Sequence, residues 1–183
     1  IFTDANIPSV FLKSILKKVT ATTFNSISID NDMSTNDMVG IFATGKAKNS
    51  KLYNVLDPKL QDFEKALHRL CLNLAKQIVV DGEGAKKFIT IKVIGAKSIS
   101  MAKNIGFSIA NSPLFKTAIA GEDPNWGRIV MAIGKSGENI VPNKVQIKIG
   151  DYLVAEQNMV AKGYNEKILK KYMEWDSIQV EVN

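Results

Sequence analysis

With one cysteine and one histidine among 183 residues, the chain offers little to redox or metal chemistry. Cys71 alone excludes an internal disulfide, which leaves a reducing compartment or indifference to redox. His68 precedes it by only three positions, and two such side chains are too few for a protein-only structural zinc site. Both are read as structural, a surface histidine and a packed thiol. No apolar run approaches the ~20 residues of a membrane helix. The opening residues IFTDANIPS also lack the basic stretch and apolar core of a secretory leader. Internal repeats, low-complexity tracts and a Pro- or Gly-rich linker are missing. So are a Gly-x-Ser-x-Gly elbow, a Walker loop and a paired His/Cys arrangement, each a one-motif route to hydrolase or nucleotide chemistry.

What remains is ordinary for a globular protein: 45% hydrophobic and 23% charged residues. The length suffices for one sizeable core or two small lobes. The net charge of +6 comes from 24 basic and 18 acidic residues. Its lysines are scattered in ones and twos (Lys17-Lys18, Lys86-Lys87, Lys170-Lys171), which describes a solvated surface better than a nucleic-acid patch.

Periodicity predicts the elements. Pro8 suits a first helical turn, and Phe11, Leu12, Ile15, Leu16 and Val19 follow at helical spacing. Residues 26–30 read as a short strand, and STND at 34–37 as the cap of a helix over 39–43. Residues 58–80 form a long amphipathic helix with Phe63, Leu67, Leu70, Leu74 and Ile78 inward, His68 off that face and Cys71 at its edge. A strand over 88–94 and a helix over 98–110 follow. Residues 144–149 and 177–182 alternate as strands, and between them lies a helix over 164–175 with Tyr164, Ile168, Leu169 and Tyr172 inward. Strands and helices intersperse without regular βαβ units, which predicts an α+β fold of mixed α/β layers. The expected division is an α/β body, 1–95, and a C-terminal α/β lobe, 96–183.

Three segments concentrate polar and turn-forming residues. IDNDMSTND, 29–37, carries Asp30, Asp32 and Asp37, but the glycine and terminal glutamate of a calcium loop are absent, so it reads as a turn with Asx and cap bonds. In DGEGAKK, 81–87, Gly82 and Gly84 bracket Glu83; such a carboxylate can receive an ammonium group or face solvent, and the residues alone favour solvent. NSPLFKTAIAGEDPNWGRI, 111–129, holds a turn, with Asn125 placed to cap a helix starting near Trp126. Polar groups so dense beside a tryptophan describe a buried hydrogen-bonding hub or a ligand contact. The residues leave both open.

The last segment resembles the signature of the ornithine acetyltransferase family, in which Ser-Pro precedes Lys-Thr-Ala and then Gly-x-Asp-Pro-Asn-Trp-Gly-Arg. IFTDANI, 1–7, resembles the stretch just after that family's cleavage site, and IDNDMSTND and DGEGAKK resemble two further family motifs in the same order. The resemblance covers the whole chain and implies a β chain, in a layered sandwich of sheets and helices that a separate α chain completes. Family members cut themselves before a threonine, whose hydroxyl then carries an acetyl group from N-acetylornithine to glutamate by a ping-pong route in arginine biosynthesis. The family's oxyanion hole belongs to the α chain.

Aligned on this pattern, the nucleophilic threonine falls about five positions before Ile1, at the N-terminus such chemistry requires. Neither Ile1 nor Thr3 takes the role, so no catalytic residue is assigned. The family also continues past Asn183, which aligns with a strand and not with the family's terminal substrate contacts. Of the substrate-binding positions only one is present, Glu83, which the resemblance turns towards a substrate ammonium group. The GEDPNWGR turn is expected to be structural, fixing the β chain against its partner, with a carboxylate contact by Arg128 as the alternative. Asn31, Met33, Met38 and Lys86 depart from the family pattern, and Lys86 is close enough in sequence to neutralise or orient Glu83.

The resemblance implies no bound cofactor, with acetyl-CoA as an acetyl donor in bifunctional members. It further implies an α2β2 heterotetramer, the substrates N-acetylornithine, glutamate and ornithine, and the cytoplasm or, in a eukaryote, the mitochondrial matrix. Neither nucleic acid nor membrane is an expected partner. Two other readings stand beside it: an N-terminal-nucleophile amidase or β-aminopeptidase of similar fold, and a basic nucleic-acid-binding module.

Overall fold

The helix expected after Pro8 forms in the computed structural model, which describes residues 1–50, 52, 54 and 56–183. The Pro8 carbonyl accepts the amides of Phe11 and Leu12, both at 3.0 Å, and starts α1, Ser9–Ala21. Leu12, Ile15 and Val19 line its buried side. Upstream, β1 (Phe2–Thr3) pairs in parallel with β2 (Phe42–Ala43). α2, Pro58–Val80, supplies Leu60, Leu67 and Cys71 to the same core, together with Ile7 and Leu52. These elements make the first of two compact units, Ile1–Ile27 with Asp32–Val79.

Three expectations for residues 1–80 are corrected. Residues 26–30 hold no strand; Phe24–Ser26 forms a single 3-10 turn instead. Ser34 does accept the amides of Asn36 and Asp37, at 3.3 and 2.9 Å, yet no helix follows. Phe42 and Ala43 are drawn into β2 because β1 offers a ladder, and tertiary pairing outweighs a cap signal over so short a run. In α2 the inward face is turned: Cys71 and Ala75 are fully buried, whereas Leu70 and Ile78 are 44% and 47% exposed. Leu60 and Leu67 complete that buried side with Cys71 and Ala75. Burial pushes the Cys71 thiol up, so it stays protonated and inert.

The second unit comprises Ser28–Asn31 and Val80–Asn183. In chain order it contains β3 (Phe88–Val93), α3 (Ile99–Ala110), α4 (Pro113–Ala120), α5 (Trp126–Gly134), β4 (Gln146–Ile149), β5 (Tyr152–Glu156), β6 (Met159–Val160), α6 (Glu166–Met173) and β7 (Ser177–Val182). The five strands form one sheet in the order β3-β7-β4-β5-β6, with only the β3–β7 pair parallel. Ile147, Ile149, Ile178, Val180 and Val182 alternate onto the face that meets Ile109, Phe115, Ile129 and Leu169 of the helices. This is a layered α+β fold. The units part near Val80, upstream of the division at residue 95 read from the sequence, because β3 matches β7 residue for residue from Phe88↔Ser177 to Val93↔Val182. In α6, Ile168, expected inward, is 43% exposed, and the buried residues are Leu169, as expected, and Met173, which is not among the expected ones.

Candidate functional site

α2 ends at Val80, and the chain reverses through the glutamate turn of the second unit. The Gly82 carbonyl accepts the Ala85 amide at 2.9 Å, placing Glu83 and Gly84 at the two central positions. Gly84 has φ +71, a left-handed backbone that favours glycine at the third position of such a turn. A Cβ there would meet nothing within 4 Å, so the demand is conformational and not one of space. Glu83 is therefore held at the crest. It is exposed, and no described residue bonds to its carboxylate.

The neighbouring lysines behave differently from the expectation. Lys86 is exposed and makes no pair with Glu83. Lys87 is the anchored one, its side chain only 11% exposed. Its ammonium donates to Glu122 Oε1 at 2.8 Å, to the Met173 carbonyl at 2.8 Å and to the Trp175 carbonyl at 3.3 Å. All three donors of the ammonium are thus used. Two of the acceptors lie at the C-terminus of α6, where a cation is favoured by the helix dipole. Sequence reasoning missed Lys87 because nothing local distinguishes it from Lys86; its three acceptors come from residues far along the chain.

Glu122 belongs to the turn that ends α4. The amides of Glu122 and Asp123 reach back to Ile119 O at 3.1 Å and Ala118 O at 2.9 Å, the paired bonds of a Schellman motif. The left-handed position of that motif usually holds glycine, but here it is Glu122, with φ +55. Asn125 then caps α5 as expected, accepting the Arg128 amide at 3.2 Å. Arg128 turns inward to its own unit: its Nη1 donates to Leu114 O and Thr117 Oγ1, both at 2.8 Å, and ties α5 to α4.

At the start of α4, the fully buried Ser112 is the N-cap, accepting the Phe115 amide at 3.4 Å. Beside it, Asn111 Oδ1 accepts the Ser28 hydroxyl, and Lys116 donates to the Ile29 carbonyl. In the structure, residues 111–129 make a hydrogen-bonding hub. It grips the start of the IDND segment at one end and the glutamate turn, through Glu122 and Lys87, at the other. Asp30, Asp32 and Asp37 are exposed, and among the described residues no group of three His, Cys, Asp or Glu side chains is placed to hold a metal ion.

A second candidate was invisible in the sequence. An open depression of about 640 Å³ at the start of α6 is lined by Tyr164, Asn165, Glu166, Lys167 and Lys170. Lys170 pairs with Glu166 at 2.8 Å, which raises the ammonium pKa by that hydrogen bond first. Burial, then the charges of Glu166 and Asp123, raise the Tyr164 phenol. Glu166 thus offsets Lys170 within one helical turn while Lys167 adds a further positive charge, and Glu83 is not part of the lining.

Residues 1–183 match the model of the ArgJ family. The "Arginine biosynthesis bifunctional protein ArgJ" of Brucella suis biovar 1 (strain 1330) is 46% identical over 186 residues, covering 100% of this chain and 45% of that protein. The protein of the same name from Gluconobacter oxydans (strain 621H) is 47% identical over 181 residues, covering 99% of this chain and 43% of that one. A crystal structure of the Bacillus halodurans arginine biosynthesis bifunctional protein ArgJ superposes with a TM-score of 0.94 at 41% identity, covering 100% of this chain and 85% of that one. The chain spans less than half the length of the curated relatives it matches.

Proposed function

Because the chain belongs to the ArgJ family, we propose that it is the β-chain portion of an acetyltransferase of arginine biosynthesis. The activity is acetyl transfer from N-acetylornithine to glutamate. The observation that carries this reading is the likeness of the whole chain, end to end, to proteins named for that pathway. In the complete protein, a threonine hydroxyl upstream of these residues attacks the acetyl carbonyl and passes its proton to the terminal amine. Ornithine leaves, and the acetyl group stays on the threonine as an ester. The amine of glutamate then attacks the ester, N-acetylglutamate departs, and the threonine is restored. No residue of this chain is assigned as nucleophile.

Glu83 is the substrate contact in this proposal. A carboxylate at the crest of a turn that a left-handed glycine holds, bonded to no described residue and followed four positions on by the anchored Lys87, is ready to receive a cationic amino group. The relatives are named bifunctional, and in this proposal acetyl-CoA is the second acetyl donor. An α chain from the same precursor, an α2β2 assembly and a cytoplasmic or mitochondrial-matrix location complete the reading. No helix among the described residues is long and apolar enough to cross a membrane.

The test is product analysis with the complete protein supplied with N-acetylornithine and glutamate. N-Acetylglutamate formed in step with ornithine release is the expected result. Acetate released without transfer would sink the proposal and put an amidase or β-aminopeptidase in its place.

A further inference from the structure

The turn that carries Glu83 has its shape fixed from within and its direction fixed from outside. The bond from the Ala85 amide to the Gly82 carbonyl and the left-handed Gly84 set the shape. Neither says which way the crest points. On the outgoing side only Lys86 and Lys87 separate Ala85 from β3, so direction comes from where the chain is next held. The Phe88 amide donates to the Asp176 carbonyl at 2.7 Å, and the Lys87 ammonium to the carbonyls of Met173 and Trp175. The connection from α6 to β7 thus grips the outgoing leg at three carbonyls. Glu122, from the turn after α4, supplies the counter-charge to Lys87.

Attaching the strand does not by itself call for this arrangement. The Lys87 side chain, 11% exposed, takes an ammonium out of water, and apolar packing of similar volume often stabilises as well as a buried ion pair. Glu122 adds backbone strain at φ +55, in a place where glycine would have none. The rest of β3 is held without either, by its ladder to β7 and by Ile89, Ile91 and Val93 against the core. What a charged anchor adds is direction. An ammonium whose three donors meet three fixed acceptors accepts one geometry, whereas apolar contact is non-directional.

We propose that Lys87 and Glu122 are positioning residues for Glu83, holding its turn so that the carboxylate meets the substrate's ammonium group from a fixed direction. This rests on the assignment of Glu83 as the substrate contact under Proposed function. Neither Lys87 nor Glu122 touches substrate; both act through Glu83. The strain at Glu122 and the burial of Lys87 are then two halves of one device, which joins the turn after α4 to the turn that carries the contact.

Double-variant kinetics on the complete protein test it. Glu122→Gln keeps the length of the side chain and an acceptor for Lys87 but removes the charge, and Lys87→Met removes all three bonds. Each should raise the KM for the amino-acid substrates at least about threefold, and by a larger factor than it lowers kcat. Partial unfolding does not imitate this, because KM is independent of the fraction of enzyme that is folded. In a Glu83→Gln background the same two changes should leave KM where it stands, since no charged carboxylate is left to aim. Effects that multiply independently of residue 83 would make Lys87 and Glu122 merely structural and overturn the proposal, as would an unchanged KM in the single variants. If Lys87→Met yields no folded protein, Glu122→Gln, on a side chain 45% exposed, carries the test alone. Glu83→Gln by itself keeps the two readings apart. An unchanged KM there removes the substrate contact and this proposal together, whereas a raised KM with independent effects at 87 and 122 removes the positioning role alone.

Discussion

At the scale of single residues, Glu83 and Lys87 divide the labour of one turn. Glu83 is exposed and unbonded, whereas Lys87 satisfies all its donors inside the fold. Glu83→Gln keeps the size and the turn but removes the charge. A hydrogen bond to a charged group contributes about 1.5–3 kcal/mol, so the KM for the amino-acid substrates should rise by roughly 10- to 100-fold while precursor cleavage is intact. Steady-state kinetics and a denaturing gel check both halves, and an unchanged KM returns Glu83 to solvent. Glu122 poses a sharper contest. Its left-handed backbone strains a non-glycine residue by about 1–2 kcal/mol, and Glu122→Gly relieves that strain. The same change leaves a nearly buried Lys87 without its carboxylate, at a cost of about 1–3 kcal/mol, more for a charged group. The loss should win, lowering Tm by several degrees; a rise in Tm would show that the strain dominates.

At the scale of elements, legibility followed whether the deciding partner was local. α1, α2, β3, α3 and β7 were readable because their apolar periods are long and consistent. The cap at Asn125 was readable because capping needs only the next turn, and Asn125→Ala should therefore destabilise by about 1 kcal/mol in chemical denaturation. What failed was non-local. β2 exists because β1 pairs with it, the face of α2 is chosen by what packs on it, and the short β5 and β6 are made by the sheet. The site divides the same way: the Gly84 turn is written in DGEG, but the hold of Lys87 on Glu122 spans the unit. Cross-strand charge gives one more test. Glu181 of β7 lies opposite Lys92 of β3 and Lys148 of β4, and accepts from them at 2.7 and 3.5 Å. The hydrogen bond from Lys92 is the largest of the causes that lower its carboxyl pKa. A carboxyl lowered on folding adds stability above the ordinary glutamate range, and that stability is lost as pH falls through the lowered pKa. Glu181→Gln should accordingly flatten the acid limb of Tm against pH, and a superimposable limb would assign the effect elsewhere.

At the scale of the molecule, the charge of +6 must be weighed by where the cations are spent. Affinity for nucleic acid comes from lysines and arginines free to displace counterions along one face. In the second unit the most buried of the paired lysines, Lys87, is inside the fold, Lys92 and Lys148 share Glu181, and Lys170 pairs with Glu166. Arg128 spends its guanidinium on α4. The aromatic side of a single-strand platform is no better supplied. Tyr152, Tyr172 and Trp175 do cluster, with centroids 6.4 and 5.3 Å apart, but their planes meet at 67° and 48°. Rings set edge-on and tilted pack on one another and do not offer successive parallel faces to bases. Tyr172 is further committed, its hydroxyl accepting the Gln179 amide at 2.9 Å. The complete protein should therefore bind a single-stranded oligonucleotide negligibly at low salt, with no slope as salt rises. Fluorescence anisotropy across a salt series checks it, and a steep logarithmic slope would restore the nucleic-acid reading, because each neutralised phosphate contributes about 0.7 to that slope.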